Sequence, residues 1–143
     1  MSAKPVRFLA IDAGGKRTGL AAGDAITRMA MPVEVLHIPR GPELLQAIER
    51  AVREHAPDAL VMGLPLNMDG TEGPAAKDAR AFAEQVQQRC GLVVHLQDER
   101  LTSFEADQRM ARSGRTRGEK KELRDALAAA ALLEDFLRAP PDG

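Results

Sequence analysis

The chain has 143 residues, 44% of them hydrophobic and 29% charged, which is the ordinary composition of a globular protein with one domain and a real core. A net charge of −1 excludes a bulk electrostatic attraction to nucleic acid or to a membrane surface, and the single cysteine, Cys90, excludes an internal disulfide. No apolar run approaches the length of a membrane span, and residues 1–5 carry no apolar signal region. We therefore expect a cytoplasmic protein with no membrane partner.

The first half of the chain predicts a hairpin, a third strand, a helix and a buried strand. The predicted strands cover residues 6–12, 17–22, 32–38 and 58–63, and the helix begins at Gly41-Pro42 and ends before Pro57. The turn-forming pair Gly14-Gly15 joins the first two strands and predicts the hairpin. The last of the four strands is a continuous apolar run, which is typical of a strand buried in a parallel sheet.

The second half of the chain is mainly helical by the same reasoning. Its predicted elements are a helix over about 74–90, a strand at 92–97, a short helix with a capping box at Thr102 and Glu105, and a last helix over about 120–137. We expect a mobile basic loop at about 113–119, a tail at 139–143, and a structural role for His95 inside its strand. The order β-β-β-α-β-α-β-α-α predicts one α/β domain over 1–143, in which helices flank a mixed sheet.

Acidic residues stand at three points of this predicted fold. Asp12 ends the first strand, and Asp125 lies near the start of the apolar last helix. The pair Asp98-Glu99 follows the fifth strand. Because ligands gather at the carboxyl ends of strands in such sheets, we expect these acids to meet. Their mutual repulsion would then require a divalent ion or a shared proton, and hard cations such as Mg²⁺ prefer oxygen ligands.

Two points about these acids stay open from the residues alone. Neighbouring residues on a strand point to opposite faces, so only one of Asp98 and Glu99 would reach the site. The other would pair with Arg100 or bond to the backbone. Asp125 taken by itself is also explained as a first-turn acid that the helix dipole favours.

Basic residues indicate where a polyanion would bind. Lys16, Arg17 and the amides of the turn could contact phosphate oxygens, although Gly14-Gly15 could equally be a plain hairpin turn. Residues 109–124 include seven basic and two acidic side chains, which leaves a charge of −6 on the rest of the chain. Such a patch is typical of a polyanion footprint or of a solvated helix face. With four phenylalanines and no Tyr or Trp, recognition of backbone and shape fits better than base stacking.

Four motifs in the same order resemble the YqgF family, also called RuvX-like, whose members are described as Holliday junction resolvases or as nucleases of ribosomal RNA precursors. The motifs cover residues 11–21, 63–71, 98–103 and 125–129, so that the resemblance extends over nearly the whole chain. The chain departs from the family pattern at Gly15, Gly23 and Leu127, where Thr, Ser and Ile are usual, but it keeps every acid.

The resemblance implies an RNase H-like fold with a five-stranded mixed sheet. It also implies a catalytic and metal-binding centre that holds Mg²⁺ or Mn²⁺ and consists of Asp12, Asp98, Glu99 and Asp125. The reaction it implies is the hydrolysis of phosphodiesters, in which two metal ions could activate a water and stabilise the leaving oxygen. The expected substrate-binding residues are Lys16, Arg17, Asn67, Arg100, Arg115, Arg117, Lys120 and Lys121.

Our main hypothesis is thus a metal-dependent nuclease, a hydrolase that cleaves structured nucleic acid. Its substrate would be an rRNA precursor, in ribosome biogenesis, or branched DNA, in recombination. A junction resolvase would need two sites and hence a homodimer, whereas a monomer would suffice for trimming RNA. The alternative hypotheses are a non-catalytic nucleic-acid-binding factor of ribosome maturation and a small nucleotide-binding ATPase.

Overall fold

A computed structural model of the protein describes residues 6–100 and 117–138. The strands are β1 (Arg7–Ala13), β2 (Thr18–Asp24), β3 (Ala30–Leu36), β4 (Ala59–Leu64) and β5 (Val94–Asp98), and the helices are α1 (Pro42–His55), α2 (Pro74–Cys90) and α3 (Arg117–Arg138). The short helix expected around 102–105, residues 113–116 of the expected basic loop and the tail at 139–143 lie outside the described residues. The end expected for the basic loop was wrong: α3 already begins at Arg117, so residues 117–119 are helical rather than part of a loop.

The five strands form one mixed sheet in the order β3-β2-β1-β4-β5. β1 and β2 pair antiparallel, as do β2 and β3, whereas β4 runs parallel to both β1 and β5. The predicted hairpin and the predicted mixed sheet are thereby confirmed. Pro32 is tolerated in β3 because this strand lies at the edge of the sheet. Proline has no backbone N–H, and an edge strand can lack one hydrogen bond to a neighbouring strand at little cost.

The two faces of the sheet carry different cores, and the alternation along β1 decides which residues join each. Leu9 and Ile11 point to the side of α1 and α2, where they join a large buried cluster. Phe8 and Ala10 point to the opposite side, where they pack with residues of α3. Full burial of each large aliphatic side chain contributes roughly 1.5–3 kcal/mol. Asp12 lies two residues beyond Ala10 on β1, so its side chain points to the same side of the sheet, toward α3.

Small residues bring α3 close to the sheet. Ala129 and Ala130 are fully buried against Ala10 and Ala21, so the helix backbone can approach the strands closely. Farther along the same face, the ring of His95 lies 5.1 Å from that of Phe136, which confirms the structural role expected for this histidine. The described helices include none that is long and apolar enough to span a membrane.

Helix and strand ends follow from local chemistry. α1 begins with Pro42 in its first turn and is capped at its carboxyl end by Ala56, which adopts a left-handed conformation with φ 48°. α2 is capped by Gly91, which has φ 70° and donates its N–H to the carbonyl of Gln87. β3 begins at Ala30, earlier than expected, because the turn before it is closed by Asp24, whose carboxylate accepts two backbone N–H groups.

Candidate functional site

Asp12 lies near the carboxyl end of β1 between two strands that present glycine beside it. Its antiparallel partner on β2 is Gly19. On the other side β1 runs parallel to β4 with Ile11 opposite Met62, so the next residue of β4, Gly63, lies on the same face as Asp12. The Asp12 carboxyl group is therefore not crowded by neighbouring side chains on either strand.

Glu99 brings a second carboxyl group to Asp12. Its backbone N–H donates to the carbonyl of Leu64 at 3.3 Å, which prolongs the contact between β4 and β5. Its side chain, in the protonated form, donates a hydrogen bond to Asp12. Burial and the charge of Asp12 raise the pKa of Glu99 to about 8, and burial also raises the pKa of Asp12. At neutral pH the two carboxyl groups therefore share a proton.

Asp98 takes the other side of the sheet. Its partner on β4 is Leu64, which packs with α2. Its carboxylate accepts hydrogen bonds from the backbone N–H of Arg100 at 2.9 Å and from the Arg100 Nε at 2.8 Å, and Arg100 holds the pKa of Asp98 below its usual range. The choice that the sequence left open is thus resolved geometrically, with Glu99 beside Asp12 and Asp98 paired with Arg100.

Asp125 approaches the same face from α3. A Cβ atom added at Gly19 would collide with the carbonyl of Asp125, so the helix backbone packs directly on β2 at the residue opposite Asp12. The charge of Asp125 contributes to raising the pKa of Asp12. Its Oδ2 lies 3.0 Å from the Nε of Arg17, but this buried oxygen accepts no hydrogen bond from the described residues.

A cavity of about 580 Å³ opens beside Asp125. Lys16, Arg17 and His37 contribute to its lining together with Asp125, so basic groups surround the acid. A second cavity, of about 510 Å³, lies near Phe8 and Pro57 and contains none of the four predicted acids. The cavity beside Asp125 thus combines a carboxylate of the site with cationic side chains that could meet phosphate oxygens.

The remaining predicted substrate-binding residues are placed as follows. Asn67 lies in the loop after β4, where its side chain donates to the Thr71 hydroxyl at 3.0 Å. Arg100 donates to the carbonyl of Met68 at 3.1 Å and so ties this loop to the end of β5. Arg117, Lys120 and Lys121 lie on the first turns of α3, where the backbone alone is described, and Arg115 lies outside the described residues.

The three acids that share a face have the chemistry of a hard-cation site. All their donors are carboxylate oxygens, and burial raises the pKa of both Asp12 and Glu99. Oδ2 of Asp125 lies within ion-pair distance of Arg17 but accepts no hydrogen bond from the described residues. As they stand, however, they do not converge on a point. Among the described residues, one group brings three ligand atoms within 4.8 Å of one another, and it consists of Glu34, Glu54 and His55. That group lies on the α1 side of the sheet, away from Asp12.

Reasoning from sequence missed three contributors to this site. Gly19 and Gly63 leave the space that the other acids occupy, and a glycine inside a strand is a known signal for such close approach. Arg40 lies close enough for its charge to oppose the rise in the pKa of Glu99, and it donates to the carbonyl of Ala13 at 3.3 Å. No sequence motif distinguished Arg40 from other surface arginines.

Comparisons with known proteins identify the family of the chain. The family model described as "RuvX: Holliday junction resolvase" matches residues 6–139. A protein of Azotobacter vinelandii (strain DJ) named "Putative pre-16S rRNA nuclease" is 43% identical, over 97% of this chain and 98% of its own length. A protein of Anaeromyxobacter sp. (strain K) with the same name is 44% identical, over 94% of this chain and 100% of its own length.

Solved structures show the same fold at low sequence identity. RuvC of T. thermophilus, in complex with a Holliday junction substrate, superposes with a TM-score of 0.54 at 13% identity and covers 92% of this chain and 93% of its own. The Fowlpox virus resolvase, solved with Holliday junction DNA, gives a TM-score of 0.56 at 13% identity, with 92% and 96% covered. The RNase H-like fold expected from the resemblance is confirmed. By the family match and the identity to its relatives, the chain belongs to the RuvX family and is a nuclease of the hydrolase class.

Proposed function

We propose that this protein is a divalent-metal-dependent nuclease whose acidic centre consists of Asp12, Glu99 and Asp125. The observation that carries the proposal is the hydrogen bond between the carboxyl groups of Asp12 and Glu99. The two residues are remote in sequence, both lie at carboxyl ends of strands, and Asp125 joins them from a third element. Hydrophobic packing alone gives no reason to concentrate three acids on one partly buried face.

Charge balance explains why a cation suits this centre. A proton shared by Asp12 and Glu99, and the guanidinium of Arg17 beside Asp125, offset part of the negative charge. Buried carboxyl groups that repel one another are costly unless positive charge meets them. Mg²⁺ or Mn²⁺ bound there would supply Lewis-acid stabilisation of the phosphodiester during hydrolysis.

The chain's own residues would bind and orient the substrate. Lys16 and Arg17 line the cavity beside Asp125, where they would contact phosphate oxygens of the nucleic-acid backbone. Arg40, whose charge acts to lower the pKa of Glu99, would add a further positive charge near the acidic centre. Asp98 would act as a positioning residue, because it orients Arg100, which in turn holds the loop that carries Asn67.

The substrate we propose is structured nucleic acid recognised through its backbone. The names of the curated relatives point to precursor 16S rRNA, and the description of the family points to Holliday junctions. Each chain carries one acidic centre in the part that the structure describes, so the symmetric double cut of a junction would require a homodimer. Assays on both substrates, together with the oligomeric state in solution, decide between them.

Replacing Asp12 by Asn tests the proposal. Asp12→Asn keeps the size of the side chain but removes a ligand charge, so cleavage should fall by roughly a hundredfold or more while nucleic-acid binding persists. Asp78→Asn, which removes an exposed acid from α2, is the matched control and should cleave normally. Undiminished cleavage by a clean preparation of Asp12→Asn would contradict the proposal.

Calorimetry separates this function from the alternative of a non-catalytic maturation factor. A nuclease with this centre should bind Mn²⁺ or Mg²⁺ at or below millimolar concentration, and Asp12→Asn should weaken the binding. If the wild-type protein binds no divalent ion in that range, the non-catalytic factor becomes the better description.

A further inference from the structure

Gly63 occupies a distinct position in the acidic centre. A Cβ atom added to this residue would collide with Oε2 of Glu99 and would lie 3.0 Å from its Cδ and 3.4 Å from its Cβ. These are the three nearest heavy atoms, and all of them belong to Glu99. The Glu99 side chain therefore fills the volume that a side chain at position 63 would occupy.

The need for glycine at position 63 is steric and not conformational. Among the described residues the glycines with positive φ are Gly41, Gly70 and Gly91, and Gly63 is not one of them, so its backbone would accept alanine. β4 is buried throughout, and its other residues on this face, Ala59 and Val61, do carry side chains that pack in the core. Position 63 differs from them because the Glu99 carboxyl group, rather than α3, lies over it.

The contrast with Gly19 shows what an added methyl group would displace. At Gly19 the collision is with the backbone of Asp125, which cannot move without moving α3. At Gly63 the colliding atom is the end of a flexible side chain, which can rotate away at little cost. Alanine at position 63 should therefore leave the fold intact and expel the Glu99 carboxyl group from its place beside Asp12.

We propose that Gly63 is a positioning residue of the acidic centre: the absence of its side chain admits the Glu99 carboxyl group to Asp12, where the two can hold a divalent cation together. The part of this inference that concerns the cation rests on the function proposed above. The part that concerns the placement of Glu99 depends only on the packing of β4 against the end of β5.

Two measurements on Gly63→Ala test the two parts separately. The crystal structure of the variant should show the methyl group in the place of the Glu99 carboxyl group and no hydrogen bond between Glu99 and Asp12. Calorimetric titration of the full chain with Mn²⁺ should show about a tenfold loss of affinity, the size typical when a residue that orients ligands is changed.

A double-mutant cycle with Glu99→Ala is the matched control. If Gly63 acts through Glu99, adding Gly63→Ala to Glu99→Ala should cause no further loss of Mn²⁺ affinity and no loss of thermal stability. A further loss of either in the double variant would show that the methyl group collides elsewhere and would overturn the proposal. The cycle also covers the case in which Gly63→Ala alone fails to fold, since the double variant should then fold like Glu99→Ala.

The outcomes distinguish this inference from the proposed function. A crystal structure of Gly63→Ala in which Glu99 still contacts Asp12, or an unchanged Mn²⁺ affinity beside normal wild-type binding, overturns the role of Gly63. Absence of Mn²⁺ binding by the wild type refutes the metal centre instead, and the crystal structure of the variant then still decides whether Gly63 places Glu99.

Discussion

The Nε atom of Arg17 lies 3.0 Å from Oδ2 of Asp125, in an ion pair that joins the start of β2 to α3. Both side chains keep partial exposure, 31% for Arg17 and 25% for Asp125, so the pair can open without unfolding its surroundings. The guanidinium group thus holds a positive charge beside a carboxylate that a divalent ion would also need. A divalent cation and the guanidinium group of Arg17 would therefore compete for the carboxylate of Asp125.

This competition predicts opposite effects of Arg17→Gln on two kinds of ligand. Loss of the guanidinium removes a competitor, so we expect Mn²⁺ to bind a few-fold more tightly in calorimetric titrations. Nucleic acid should bind more weakly, and the salt dependence of its affinity should fall by about one unit of slope, because one phosphate contact is lost. Arg80→Gln, which breaks the exposed ion pair between α2 and Glu72, is the matched control and should change neither property. Weaker Mn²⁺ binding by Arg17→Gln would show that Arg17 supports the ion site.

Protonation of Glu99 predicts that the metal-free protein loses stability as the pH rises. Burial and Asp12 raise the pKa of Glu99 to about 8, above its ordinary value in the unfolded chain, so the folded state binds the extra proton. The contribution of protonated Glu99 to the stability of the fold is complete at pH values below the pKa of this residue in the unfolded chain. It is lost as the pH rises from that value to about 8. Thermal unfolding at a series of pH values should show Tm falling across this window.

Glu99→Gln provides the control for this pH dependence. Its amide can donate to Asp12 but cannot ionise, so the fall of Tm across the window should flatten. Saturating Mn²⁺ should also restore stability at pH 8, since an ion that binds only the folded state at a hundred times its Kd adds about 2.7 kcal/mol. If Tm falls equally steeply with rising pH in Glu99→Gln, the pH dependence comes from other titratable groups.

The neighbouring acids Asp98 and Glu99 should give different phenotypes because their carboxyl groups lie on opposite sides of the sheet. Glu99→Gln removes a carboxylate beside Asp12, and we expect a loss of about tenfold or more in Mn²⁺ affinity. Asp98→Asn disturbs only the contact with Arg100 and so should keep that affinity within about twofold while it weakens substrate binding. The two variants control for each other in calorimetry and in binding assays. A greater loss of Mn²⁺ affinity in Asp98→Asn than in Glu99→Gln would show that Asp98, and not Glu99, binds the ion.

Close packing of α3 on β2 predicts a large cost for a single methyl group at Gly19. Gly19→Ala would collide with the backbone of Asp125, and overpacking of this kind costs about 1–3 kcal/mol in the free energy of unfolding. Gly15→Ala is the matched control, because its added Cβ would meet no atom within 4 Å. Chemical denaturation measures both, and equal stabilities for the two variants would contradict the packing.

Much of the fold could be read from local patterns. Hydrophobic alternation and turn residues predicted the β1–β2 hairpin, the buried strand β4 and the helix α2, because these signals depend on residues near one another in sequence. Strand ends were less accurate. β3 starts at Ala30 and β5 ends at Asp98, since the length of a strand depends on where its partner strand offers donors and acceptors.

The sequence by itself determined that acids would stand at the carboxyl ends of strands and on the last helix. It misplaced the start of that helix: α3 begins at Arg117, so Asp125 lies more than two turns inside it and is not a first-turn acid. Only the tertiary structure decided that Glu99 rather than Asp98 meets Asp12, because the face on which a residue lies depends on its register with β4. It also decided the use of Gly19 and Gly63, whose missing side chains matter only because α3 and Glu99 lie against them. Chemical type is a local property of the chain, whereas the space around a side chain is created by segments that are distant in sequence.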